Sequence, residues 1–119
     1  MREEQKGKDW MIDGSKEPLF NKRRKHERKP YFSAVDYSVQ DGTYTDFIHN
    51  ISAGGVFIGT GTSFLAGEEV SMVFPLPVSR ERIRITGEIA WVSDMGIGVK
   101  FKMTEHRQET RIKGLVELI

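Results

Sequence analysis

The stretch Arg82-Ile83-Arg84-Ile85-Thr86-Gly87-Glu88-Ile89-Ala90-Trp91-Val92 leads through Asp94-Met95-Gly96 into Ile97-Gly98-Val99-Lys100-Phe101-Lys102, and it decides the fold class. Ile83, Ile85, Ile89 and Trp91 share one parity, while Arg82, Arg84, Thr86 and Glu88 take the other. Successive side chains of a strand point to opposite faces, so this alternation predicts a half-buried strand. Gly87 interrupts the apolar row and predicts a bulge or bend at that point. Asp94-Met95-Gly96 reads as a hairpin turn. In the returning strand Ile97, Val99 and Phe101 alternate with Gly98, Lys100 and Lys102.

The same period extends towards the N-terminus. Between Tyr31 and Val39, the side chains of Tyr31, Val35, Tyr37 and Val39 fall on one face. Asp41-Gly42 predicts a tight hairpin, since both central positions of a type I′ turn need positive φ. A second strand runs from Thr43 to about Ile51. Ser52-Ala53-Gly54-Gly55 breaks it, and Val56-Phe57-Ile58 resumes. After a loop punctuated by Gly59, Gly61 and Gly67, Val70 to Phe74 form a strand that Pro75 and Pro77 stop. Six short strands with turn signals at this spacing predict a closed or nearly closed antiparallel barrel.

Beyond Lys102 the period changes. Ile112, Leu115, Val116 and Ile119 recur at i, i+3, i+4 and i+7, the apolar stripe of a helix over about 104–118. Thr104 is the expected N-cap, with Glu105 in the first turn where the helix dipole favours a carboxylate. Gly114 weakens this helix by about 1 kcal/mol relative to alanine. The stripe needs a surface to cover, and the open end of the barrel is the expected one.

At 119 residues the chain suggests one domain. Residues 1–21 are polar, contain Gly7, Gly14 and Pro18, and show no sustained period, so they read as a flexible leader with one apolar island at Trp10-Met11-Ile12. The domain proper is expected over 22–119, opened by a basic arm at 22–30. The net charge of +1 conceals this arm: Lys22 to Lys29 hold six cationic side chains and one acidic one, leaving the other 111 residues net negative by four. Such asymmetry marks contact with an anion.

Several function classes fall away. With no cysteine, disulfides, thiolate catalysis and Cys-based metal sites are excluded. His26, His49 and His106 lack metal-ligand spacing, and no serine has an evident partner base. Gly59-Thr60-Gly61 has Phe64 where a phosphate loop would carry its third glycine, and no helix follows. The expectation is therefore a protein that is not an enzyme and holds no metal or cofactor. No apolar run approaches the roughly 20 residues that span a bilayer, and the N-terminus lacks the pattern of a secretory signal. A cytoplasmic location without membrane insertion is the default.

Two motifs carry chemistry. Arg24 and Arg28, with Arg23 directly before them, are spaced by four. They share a face on a helix, and on an extended arm they share a side at about 13 Å. Guanidinium forks donate in parallel to phosphate oxygens or to guanine O6 and N7. Alone, this pair also describes an ordinary solvated basic face. Asn50-Ile51-Ser52-Ala53-Gly54-Gly55 ends a strand with a short amide, a hydroxyl and two glycines that allow a ligand close to the backbone. Alone, it also describes a plain hairpin turn.

Together, Arg24-x-x-x-Arg28 followed by Asn50-x-Ser52-x-x-Gly55 resembles the signature of the PilZ domain family, Arg-x-x-x-Arg and then Asp/Asn-x-Ser-x-x-Gly. The resemblance continues in Gly54 to Ile58, in Gly87 to Val92 and in Gly96 to Phe101, and spans roughly residues 21–117. It implies a six-stranded antiparallel β-barrel with a C-terminal helix that binds the second messenger cyclic di-GMP. By position, Arg24 and Arg28 would contact phosphate and guanine with Arg23 assisting. Asn50 and Ser52 would read a guanine edge, and Gly54 and Gly55 would give room. Trp91 falls where some relatives set an aromatic ring against guanine, although its parity with Ile85 and Ile89 equally suits a core residue. The implied role is a receptor whose arm orders on the ligand and is sensed by a downstream protein, with motility, exopolysaccharide or biofilm control as expected outputs. Two other readings stand beside it. One is a PilZ-like module that works through protein contacts without ligand. The other is a small β-barrel nucleic-acid binder, against which stand the net negative remainder of the chain and the idle Asn-x-Ser-x-x-Gly turn.

Overall fold

Alternating side chains between Lys29 and Lys102 build six strands in the computed structural model, which describes residues 27–77 and 79–119. They are β1 (Lys29–Val39), β2 (Gly42–Ile51), β3 (Gly55–Gly59), β4 (Glu69–Pro75), β5 (Arg82–Ser93) and β6 (Gly96–Lys102), followed by helix α1 (His106–Leu118). All neighbours run antiparallel, and the sheet closes in the order β1-β2-β3-β6-β5-β4. Closure gives each strand, from five to twelve residues long, a partner on both sides and so leaves no open edge. The expected leader, its Trp10-Met11-Ile12 island and most of the basic arm lie outside the described residues.

The inward parity is the one read from sequence. Val35, Tyr37 and Val39 of β1 meet Val70, Met72 and Phe74 of β4, and Ile83, Ile85 and Ile89 of β5 complete that wall of the core. Tyr37 is the one interior side chain here with a polar end. Its hydroxyl donates to Asp46 Oδ2 at 2.7 Å, and burial keeps the phenol protonated well above the ordinary tyrosine range. In α1, Ile112 and Leu115 are buried in the same cluster and Val116 packs against it, while Ile119 at the end of the stripe stays partly exposed. Gln108 Nε2 donates to the Arg84 carbonyl at 2.9 Å, and Arg111 pairs with Glu81 at 2.7 Å, tying the helix to β5 and its approach.

Three local expectations need correction. The first hairpin turns on Gln40-Asp41, because Val39 pairs with Gly42; the left-handed residue is Gln40, φ 54°, and Gly42 already belongs to β2. Cross-strand pairing of Tyr37 with Tyr44 sets this register, and the turn follows it. The helix N-cap is Glu105, extended at φ −136° and ψ 139° and without a side-chain capping bond. Thr104 stands one residue too early, and its N–H donates to Gln108 Oε1 at 3.2 Å. Gly87 makes no bulge: it pairs in register with Val70 and Phe101, and a side chain there would press within 2.6 Å of the Lys100 carbonyl oxygen. The bulge in β5 comes later, between Ile89 and Trp91.

Candidate ligand-binding site

Three irregularities in pairing converge on one patch of the outer barrel wall. In β1 the register shifts between Pro30 and Ser33, in β2 between Ile48 and Asn50, and in β5 between Ile89 and Trp91. A bulge puts two residues against one and re-aims the side chains beside it. Between them lies an open cleft of about 460 Å³ lined by Arg28, Lys29, Pro30, His49, Asn50, Phe57 and Trp91.

The bulge in β5 decides the position of Trp91. Strict alternation from Ile85 and Ile89 would bury it, but the extra residue turns Trp91 outward, where it is 43% exposed. Of the two places left open by sequence, the structure selects the surface. Gly98 faces the same way on β6 and lies under the indole, so a side chain there would collide with the ring. Phe57 on β3 stacks beside Trp91 with ring centroids 5.4 Å apart and planes at 18°. His49 and Phe32 extend the row at 5.7 and 5.8 Å, and Phe32 stacks on Phe47 at 4.8 Å. The result is a shelf of rings on the outside of a closed barrel.

At one end of the shelf the two sequence motifs meet. Arg28 Nη1 donates to Asn50 Oδ1 at 2.8 Å across 22 residues of sequence. Pairing of Pro30 with Asn50 brings them together, and Pro30 fixes the entry of the arm into β1. With its oxygen turned to Arg28, the Asn50 carboxamide has two N–H donors left that meet no partner among the described residues. A guanidinium beside an amide donor pair suits an anionic ligand with acceptor atoms on a ring edge.

Ser52, Gly54 and Gly55 form the turn below Asn50 and sit differently from it. Ser52 is 4% exposed, and its hydroxyl accepts the N–H groups of Gly54 at 3.1 Å and Gly55 at 3.2 Å. Its own N–H donates to the Gly55 carbonyl at 2.8 Å. The serine is thus the internal tie of the turn. Gly55 is not left-handed; it is required because a side chain would run into the Val99 carbonyl oxygen of β6. The Gly54 carbonyl accepts from Phe101 N–H at 2.8 Å, which pins the turn to the same strand. Replacing Ser52 by alanine leaves two N–H groups of a nearly buried turn without their acceptor. We expect a loss of about 2 kcal/mol in stability, measured by urea unfolding. A midpoint equal to that of the parent protein would show that the tie is dispensable.

Of the residues expected at the site, Arg28, Asn50 and Trp91 come together, Ser52, Gly54 and Gly55 hold the turn beneath them, and Arg23 and Arg24 lie outside the described residues. Sequence reading missed Lys29, His49 and Phe57. A signal existed: Gly98 points outward in a strand whose inward positions are Ile97 and Val99, and an outward glycine between aromatic neighbours on β3 and β5 marks where rings lie flat on a sheet. A second depression of about 340 Å³, lined by Ser38, Gln40, Glu68, Glu69, Ser71 and Thr86, carries carboxylates and no ring, and suits an anion poorly.

Solved structures that share the fold include three from different proteins. The inhibitor of motility MotI/DgrA of Bacillus subtilis superposes with a TM-score of 0.69 at 18% identity, over 81% of this chain, which spans only 50% of that protein. The PilZ domain of CeSA from a cellulose-synthesizing bacterium gives 0.64 at 18% identity, covering 76% of this chain and 95% of that one. The PilZ domain of YcgR from Escherichia coli, solved with c-di-GMP, gives 0.66 at 10% identity, covering 81% and 90%. No curated protein matches the sequence. The family model of the PilZ domain matches residues 22–118, from the basic arm through the barrel to the end of α1, and the chain belongs to the PilZ domain family.

Proposed function

We propose that this chain is a receptor for cyclic di-GMP that binds the dinucleotide in the cleft between the arginine arm and the ring shelf. The observation that carries the reading is the Arg28–Asn50 bond, which joins the two halves of the motif at the mouth of that cleft. The ligand has two phosphates and two guanines, so it needs cationic forks and a surface that reads or stacks purines. Arg28 offers the fork, and Arg24 and Arg23, which precede it in sequence, would add two more guanidinium groups. Asn50 offers N–H donors to a guanine edge. Trp91 offers an exposed face for stacking. Ser52 works beneath the ligand by holding the turn, and Gly54 and Gly55 keep that turn close to β6. These parts bind and order a ligand, and the signal passes to a downstream protein through the change in the arm. YcgR supports the reading as a relative of the same fold solved with this ligand. Among the described residues no helix is long and apolar enough to cross a membrane.

Calorimetric titration of the full chain with cyclic di-GMP tests the proposal, and the heat should saturate at a defined stoichiometry. Absence of binding would leave a module that acts through protein contacts alone. Trp91→Ala should lower affinity about tenfold, since stacking a base on an aromatic ring contributes roughly 1–3 kcal/mol. An unchanged affinity in that variant would remove Trp91 from the ligand-contacting set.

A further inference from the structure

Lys29 stands between the cleft and the C-terminal helix. Its backbone pairs with Ile51 at the end of β2, and the residue borders the cleft next to Arg28. Its ammonium donates to the carbonyl oxygen of Val116, in the last turn of α1, at 2.9 Å and 87 residues away in sequence. The final carbonyls of a helix have no donor within it and carry the negative end of its dipole. Ile119 N–H satisfies the Leu115 carbonyl, and α1 has no basic residue of its own in the last turn. Lys29 therefore supplies from β1 the cation that α1 lacks.

We propose that Lys29 couples the ligand cleft to the C-terminal helix: a phosphate bound beside Arg28 draws the ammonium off Val116, and the last turn of α1 loosens. The inference rests on the cleft's being a cyclic di-GMP site. A phosphodiester carries a full negative charge, whereas a helix end amounts to about half a charge shared among several carbonyls. Charge-assisted bonds to phosphate are also roughly twice as strong as bonds between neutral partners. The four-carbon stem of lysine lets the head group change acceptor while β1 stays in place. Loosening acts on Val116, which packs against the core, and on Leu118 and Ile119, which are already 58% and 38% exposed. Together they present a larger apolar surface to the downstream protein when ligand is bound.

Amide hydrogen exchange of the full chain, followed residue by residue with and without saturating cyclic di-GMP, tests the coupling. Exchange at Glu117, Leu118 and Ile119 should rise about threefold or more on saturation, as expected when a helix end loses its tie. In Lys29→Met the same amides should exchange fast without ligand, and ligand should add nothing further. Lys29→Arg retains a donor to Val116 and should restore the ligand response. Unchanged or slowed exchange at these amides in the saturated parent protein overturns the proposal, as does Lys29→Met behaving like the parent. Calorimetry on the same samples separates the two levels. Absence of binding heat overturns the ligand reading and the coupling with it, whereas heat without the helix response overturns the coupling alone.

Discussion

Arg28→Ala should weaken cyclic di-GMP binding by about a hundredfold, close to 3 kcal/mol, while the barrel melts near its usual temperature. The expected loss is large because two things go at once. A guanidinium fork that would bind phosphate or guanine disappears, and Asn50 loses the donor that orients its carboxamide. Stability should change little, because Arg28 immediately precedes β1, ahead of the positions that fill the core. Arg28→Lys separates the two contributions: it keeps the charge but not the planar fork, and its affinity should fall between those of the parent and the alanine variant. Calorimetric titration measures all three proteins. Affinity within about threefold of the parent in Arg28→Ala would detach the arm from the site, because a charge-assisted bond is expected to contribute more than that.

Gly55→Val should have the largest effect on the fold itself. A Cβ at this position runs into the Val99 carbonyl oxygen, a backbone atom that cannot rotate away. Either β3 separates from β6 around the Gly55–Lys100 pair, or the Ser52 turn is pushed out of shape. Overpacking of this kind costs about 3 kcal/mol, which for a domain of this size corresponds to roughly 10 °C in Tm. Gly61→Ala is the matched control, since a side chain there meets nothing within 4 Å. Thermal unfolding followed by circular dichroism compares the pair. A Tm for Gly55→Val equal to that of Gly61→Ala would refute the close-approach argument for this glycine of the motif.

The strands were legible because each one carries its own evidence. The inward row of Val35, Tyr37 and Val39, or of Ile97, Val99 and Phe101, records which side of a sheet faces apolar neighbours, and that requires only a period of two. The helical stripe was legible for the same reason, and Ile112 and Leu115 are buried as it demands. The turns were less exact. Asp41-Gly42 is a strong local signal, yet the turn centres on Gln40-Asp41, since pairing along the whole β1–β2 ladder outweighs the preference of two residues. Half of the candidate site could also be read in advance, because Arg28 and Asn50 belong to a spaced pattern.

Trp91 marks the boundary between the two kinds of knowledge. Its residue type and its parity are properties of the sequence, and they point in opposite directions. Only the register of β5 against β6 settles the matter. One extra residue after Ile89 turns the indole outward onto Gly98, next to Phe57, and turns an apolar row into an exposed shelf of rings. The link between Lys29 and Val116 is of the same kind, joining residues 87 apart that no local pattern relates. By itself, the sequence determined the inward rows of the regular strands, where the charge is concentrated and which motif the chain carries. Tertiary structure decided which side chains meet, because bulges and cross-barrel contacts depend on how whole strands align and not on the residues at the point of contact.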